Sequence, residues 1–387
     1  MRVNAYAVPG GAVWERSPQT TGRPVLTDAR QLHGREAVRI SWTLFCALLV
    51  LVLCVGCGVT RSQWSLQREV RAVDTMSDRG EYAEARARYI ELASKAEAQV
   101  DLQYLQFRAA FMLEQMGDAN GALEEYARIY TRPTHPYDDW AGRSMFRAGH
   151  VYEDLLHDPQ TAQEVWAATV LAFPDSTFAD DALLEIQRNA ERTDTLPEFV
   201  DWMAEKYPQV QSREIADNFV YYSAKILDDE MDRCDDAMEL YAVLQSHFAR
   251  SSFVDDAVWR TALCHRRNGR IDDEYRVLHD SVMGREVSVL VGDYNYAHYN
   301  PAMRRIAEIH EERGEIDLAI HAWRRFQKVF LFSLDSDDVQ FHLIELYEGL
   351  GKVDDMRRLA AELERNWPES RYVKPAWDRV EAAEAGR

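Results

Sequence analysis

The chain has 387 residues, 47% of them apolar, with 12 Pro, 18 Gly and a formal net charge of −20. That composition excludes a collagen-like or wholly disordered polymer and leaves room for two or three ordinary domains or one long array. The acid excess disfavours nucleic acid and anionic lipid headgroups as partners, and suits either solubility or a basic partner.

Residues 1–38 are rich in Gly, Pro, Thr and Arg and lack helical periodicity. They read as a disordered tail or as an extension upstream of the true start. In 39–57, Arg39 leads into an apolar run from Ile40 that ends on Gly56-Cys57. Basic residues, an apolar core, a small residue and then a cysteine match a bacterial lipoprotein export signal. Cys57 is then the lipidation site: its thiol takes a diacylglycerol and a peptidase cuts before it, which needs a neighbour as small as Gly56. Cys54 stands where that signal usually has Leu. The other reading is an uncleaved single-pass anchor, because Ile40 to Val59 supplies about 20 apolar-biased residues, enough to span a bilayer. In both readings Arg30, Arg35 and Arg39 place the remainder, 58–387, outside the cytoplasm. With cleavage, Gly58 after the lipidated cysteine directs the chain to the periplasmic side of the outer membrane; without it, the chain is an inner-membrane protein with a periplasmic domain.

From Ser62 onward the pattern is one of paired amphipathic helices. A small or polar turn residue is followed five places later by Ala and four after that by an aromatic: Gly80/Ala85/Tyr89, Gly117/Ala122/Tyr126, His157/Ala162/Trp166, Asp232/Ala237/Tyr241 and Gly314/Ala319/Trp323. Gly351/Met356/Ala360 and Gly269/Glu274/Leu278 are degenerate members. Gly tolerates the left-handed backbone that ends a first helix, Ala lets the second approach closely, and the aromatic fills the space between pairs. The phrase Phe173-Pro174-Asp175-Ser176-Thr177-Phe178-Ala179-Asp180-Asp181-Ala182 closes one pair and opens the next. It returns 75 residues later as Phe248-Ala249-Arg250-Ser251-Ser252-Phe253-Val254-Asp255-Asp256-Ala257, and in worn form as Trp367-Pro368-Glu369-Ser370-Arg371-Tyr372. A period that divides into units of about 37 residues is the mark of a helical-hairpin solenoid.

On these residues the chain resembles the tetratricopeptide repeat (TPR) family, with Pro174 and Pro368 at the closing position of the repeat. The first-helix packing positions depart from the family, with His150 and Lys225 where Gly or Ala is usual. The resemblance implies an all-α, right-handed solenoid of about eight hairpins, near 62–98, 101–132, 138–173, 177–207, 211–248, 253–281, 299–332 and 335–366. A capping helix over about 371–384 covers the last apolar face. It also implies a peptide groove on the first helices, carried by Tyr104, Phe107, Phe111, Arg147, Phe219 and Tyr222; core packing explains the same residues equally well.

An irregular insert over 283–300 breaks the period. Val287, Val289 and Val291 alternate as in a strand, and Tyr294, Tyr296 and Tyr299 follow, as packing for their own hairpin or as a partner contact. Cys234 and Cys264 lie 16 and 14 residues from the turn at Arg250, at similar heights on antiparallel helices. They form a disulfide if their Cα atoms come within about 7 Å, and otherwise two buried thiols.

No nucleophile, metal-ligand or phosphate-binding motif is present, so no catalytic residue, metal or cofactor is expected. Asp180/Asp181, Asp255/Asp256 and Asp337/Asp338 fall at helix starts and read as caps. These features together imply a membrane-anchored, exported scaffold of the cell envelope that binds other proteins or peptide segments and not nucleic acid. The Phe-Pro-Asp-Ser and Phe-Ala-Asp-Asp-Ala phrase resembles the BamD-like lipoproteins of outer-membrane assembly, which have about five hairpins against about eight here. One alternative is a periplasmic adaptor for cell-wall or secretion machinery. Another is a helical-array peptidoglycan hydrolase acting through one buried acid such as Glu153 or Glu185, which needs an apolar pocket around it.

Overall fold

Helices end where the chain turns left-handed. The computed structural model describes residues 61–96, 98–132, 139–283, 287–288, 292–293, 298–330 and 336–386. Among them, positive φ occurs at Gly80, Gly117, His157, Asp194, Asp232, Gly269, Gly314 and Gly351. Seven of these eight are the turn residues picked out by the sequence pattern. The eighth, Asp194 at φ 57°, supplies the turn of the fourth hairpin, which the pattern leaves without a marker.

The described residues form seventeen α-helices. They are α1 (Arg61–Asp78), α2 (Tyr82–Ala93), α3 (Gln99–Gln115), α4 (Ala119–Tyr130), α5 (Asp139–His150), α6 (Pro159–Ala172), α7 (Thr177–Thr193), α8 (Leu196–Val210) and α9 (Ala216–Asp229). Then follow α10 (Cys234–His247), α11 (Val254–Arg267), α12 (Ile271–Met283), α13 (Tyr299–Glu312), α14 (Ile316–Val329), α15 (Ser336–Gly349), α16 (Val353–Asn366) and α17 (Val373–Ala385). The chain is all-α and TPR-like, with short strands β1 (Val287–Ser288) and β2 (Gly292–Asp293) pairing antiparallel within the insert. It divides between Thr193 and Asp194 into two units, so α7 closes the N-terminal one and α8 opens the C-terminal one. Within each unit, helices pack on their neighbours in sequence and on the next but one, as stacked hairpins do. The last helix, α17, packs on α15 and α16 as the expected cap.

The spacing of Ala and aromatic after each turn becomes the core. Ala85, Ala122, Ala162, Ala237 and Ala319 are all fully buried, as are Tyr89, Tyr126 and Tyr241, with Trp166 and Trp323 nearly so. Where Glu274 replaces the Ala, it is buried too, and Arg305 on α13 compensates by donating from Nε and Nη2 to its two oxygens at 2.7 and 3.1 Å.

The three copies of the repeated phrase share one geometry. The Ser176, Ser251 and Ser370 amides donate to the carbonyls of Phe173, Phe248 and Trp367 at 2.8–2.9 Å. Each serine hydroxyl oxygen accepts from the amide two residues on, at Phe178, Phe253 and Tyr372. That aromatic then lies against a ring of the preceding first helix: Phe146, Tyr221 or Phe341.

Asp180, Asp255, Asp256, Asp337 and Asp338 stand in the first turns of their helices, as the dipole half of the expectation has them, and two of these residues carry a further role. Asp256 accepts from the Tyr221 hydroxyl and Arg260, and Asp338 from the Tyr372 hydroxyl and Arg304, so they tie adjacent first helices together. Asp118 and Asp158 are side-chain caps, accepting from the Gly121 and Thr161 amides. His150 is not the close-packed position. Gly149 is, since a Cβ there would overlap the Trp166 indole, and the helix widens into a π turn over Val151–Leu155 directly after it.

His157→Gly removes a left-handed strain and should raise stability by about 1 kcal/mol, whereas Gly149→Ala should lower it by roughly 1–3 kcal/mol. Urea denaturation of both variants checks this pair of opposite signs.

Candidate peptide-binding face

The tips of the buried aromatics are polar, and each finds a partner on the first helix. The Tyr89 hydroxyl donates to Asp74, Tyr126 to Glu114 (2.8 Å) and Tyr241 to Asp228 (3.4 Å), while the Trp323 indole N–H donates to Glu311. Burial above all holds the three phenols well above their ordinary pKa, so they stay protonated and donate. Each carboxylate is met from the next first helix: Asp74 by Arg108 at 2.9 Å, Glu114 by Arg147, Asp228 by Arg260 at 3.3 Å and Glu311 by His342 at 2.9 Å. Aromatic, acid and base thus recur as a ladder linking consecutive hairpins within each unit.

This ladder decides which expected groove residues remain available. Arg147 donates to both oxygens of buried Glu114 and lies 5.3 Å over the Phe111 ring, so its charge is spent on packing; that corrects its expected role. Phe107 is 3% exposed and Phe219 fully buried, so neither reaches a partner; each turns into the hairpin interior, where rings of the same unit cover it. Tyr104, Phe111 and Tyr222 are half-buried and keep an accessible edge. Tyr104 borders a groove of about 340 Å³ with Leu66, Val70 and Asp101, between α1 and α3.

Beside Tyr104 the structure assembles a cluster that the sequence reading missed. The Trp140 ring meets Tyr104 edge-on at 5.2 Å and Phe107 at 5.4 Å. The Arg143 guanidinium lies 4.6 Å from the Phe107 centroid, 5.3 Å from Trp140 and 5.4 Å from Phe178. Among the described residues no carboxylate forms an ion pair with Arg143, while Arg108 and Arg147 on the same face are both paired. The signal was in the sequence: Arg143 and Arg147 are one turn apart on one helix, and Phe178 sits in the repeated phrase. Three aromatic faces around a guanidinium hold it by cation–π attraction while its five N–H donors keep the capacity to bind an anion.

In the C-terminal unit, first helices α13 and α15 border a groove of about 420 Å³ with Arg304, Glu308, Glu311, Asp338, His342 and Glu345 on its walls. Cys234 and Cys264 are brought together with Cα atoms 5.4 Å apart, within the span of a disulfide, and the Asp228 carboxylate lies beside both.

Other expected sites are not assembled. Glu153 pairs with Arg192 at 2.6 Å and Glu185 with Arg188 at 2.5 Å, so neither is a lone acid in an apolar pocket. Tyr299 is 2% exposed, packed 5.7 Å from Phe330, and cannot serve as an insert contact because it begins α13 facing the core. Tyr294, Tyr296, Cys57 and the 39–57 segment lie outside the described residues. No helix of the described residues is long and apolar enough to cross a membrane.

No family model and no curated protein matches the chain. Among solved structures it is similar to the C-terminal part of a TPR repeat-containing protein from Cytophaga hutchinsonii, with a TM-score of 0.40 and 13% identity over 70% of this chain and 98% of that one. It is also similar to PilW, a type IV pilus biogenesis factor (TM-score 0.31, 13% identity, 72% of this chain and 99% of that one). A third is the TPR2AB domain of yeast Sti1, solved in complex with pHSP90 (TM-score 0.27, 12% identity, 73% and 97%).

Glu114→Ala leaves Arg147 and the Tyr126 hydroxyl without their acceptor and should cost roughly 3–5 kcal/mol in chemical denaturation. For the cysteines, the full chain with Cys46, Cys54 and Cys57 replaced by Ser, purified without reductant and denatured, should show no maleimide-reactive thiol; two reactive thiols would exclude the disulfide.

Proposed function

We propose that the chain is an exported, membrane-anchored scaffold that captures extended segments of other proteins on the first-helix face of its N-terminal unit. The observation that carries this reading is Arg143, a half-buried guanidinium walled by Phe107, Trp140 and Phe178 and free of any ion pair among the described residues. A guanidinium held by aromatic faces, with no carboxylate paired to it among the described residues, suits an incoming carboxylate. The Tyr104 groove beside it, with Leu66 and Val70, suits an apolar side chain of the same segment. Such a face performs no bond chemistry; a stack of rigid hairpins fixes the spacing of the contacts, and selectivity follows from that spacing.

The anchoring half of the reading rests on the sequence at 39–57, with Cys57 lipidated and the repeats held at the periplasmic side of the outer membrane. Participation in outer-membrane protein assembly is the client pathway favoured by the resemblance of the 173–182 phrase.

Photo-crosslinking residues placed at Tyr104 and Phe178 in the full chain, in native membranes, should give adducts to a common partner. Adding Arg143→Ala should weaken that capture by roughly tenfold to a hundredfold. Adducts no stronger than those from a probe at exposed Glu124 would sink the proposed face. For the anchor, Cys57→Ser should leave an uncleaved chain without lipid by intact-mass measurement. A wild-type chain that itself retains residues 1–56 would favour the uncleaved helix instead.

A further inference from the structure

The Asp228, Cys234 and Cys264 cluster is built around a cation. Its three ligand atoms all lie within 4.8 Å of one another and all three residues are buried. The cation there is Arg267, whose Nη2 pairs with Asp228 Oδ1 and lies 2.8 Å from Cys234 Sγ and 3.3 Å from Cys264 Sγ. Arg267 is the replaceable member, since its side chain is 44% exposed and that of Asp228 only 2%. Around the cluster stands a second layer that would remain if Arg267 swung out: the Tyr241 hydroxyl donates to Asp228 Oδ2 at 3.4 Å, and Arg260 Nη1 donates to the same oxygen at 3.3 Å.

We propose that the dithiol form of the chain binds one thiophilic divalent cation, of the zinc type, at Asp228, Cys234 and Cys264, in the place taken here by the Arg267 guanidinium. The step balances without an oxidant. Two thiols lose two protons to solvent, two thiolate–metal bonds and one carboxylate–metal bond form, and a water completes a tetrahedral set. Two thiolates, one carboxylate and a divalent cation sum to one negative charge, which Arg260 offsets from its position on Asp228. Tyr241 and Arg260 hold the carboxylate in orientation, as outer-layer groups do in metal sites. The disulfide and the metal site exclude each other, because the metal needs both sulfurs as thiolates and the two-electron oxidation that makes the S–S bond consumes them. The same buried corner therefore has two closed states, one with a covalent bond and Arg267 inside, the other with a metal and Arg267 outside. Sequence spacing gave no hint of this, because the ligands come from the end of α9, the start of α10 and the end of α11 rather than from one short motif.

The test uses the full chain in detergent with Cys46, Cys54 and Cys57 replaced by Ser, reduced with a phosphine and titrated with cobalt(II) and then zinc. The expected result is one equivalent of cobalt with thiolate charge-transfer absorption in the near ultraviolet, bleached by one equivalent of zinc. Cys234→Ser should abolish the band, Tyr241→Phe should weaken binding roughly tenfold or more while leaving the ligands in place, and Arg267→Gln should strengthen it. Circular dichroism establishes that each variant is folded. Absence of the band from the folded dithiol protein, or an unchanged band in Cys234→Ser, would overturn the proposal. So would equal binding by the unreduced protein.

Discussion

A buried carboxylate needs an answering donor, and this chain turns that requirement into the link between hairpins. Asp74, Glu114, Asp228 and Glu311 each sit on a first helix, take a hydrogen bond from the aromatic of their own second helix, and meet a base on the following first helix. Apolar contact alone would let one hairpin slide over the next at little cost, because it is not directional. An acid with two fixed partners does not slide. The ladder therefore sets register where the greasy surface supplies most of the adhesion, and removing one rung strands two groups rather than one.

The hairpin spacing was readable because it depends on single residues with steep physical preferences. A left-handed turn selects Gly, and a fully buried position facing a neighbouring backbone selects Ala, so Gly80, Ala85 and Tyr89 announce themselves by type. The fourth hairpin showed only by its position, because Asp194, Phe199 and Met203 meet the same geometric needs with residues that carry no such signal. Glu274 misled in a similar way: a charge at a core position reads as decay until Arg305, 31 residues on, is seen to enclose it.

The proposed face was legible only in outline. Aromatic residues on first helices drew attention to the side of the N-terminal unit where Tyr104 and Phe111 keep an accessible edge, yet whether a ring faces out or in turns on less than one residue of register. Phe107 and Phe111 are four apart on one helix and have opposite fates, the first covered by Tyr126 and Trp140, the second half open. Nor could the sequence separate two arginines one turn apart. Glu114 claims Arg147 and leaves Arg143 to the rings, a distinction that exists only between hairpins.

Among the described residues of each unit, the substantial helix pairings join elements that are neighbours, or next but one, along the chain. Among those pairings none joins a hairpin to a distant part of the chain; its near neighbours cover its aromatic. A polypeptide delivered end-first, from a ribosome or through a membrane pore, can thus become ordered behind its leading end, at a pace set by local encounters rather than by the closing of long loops.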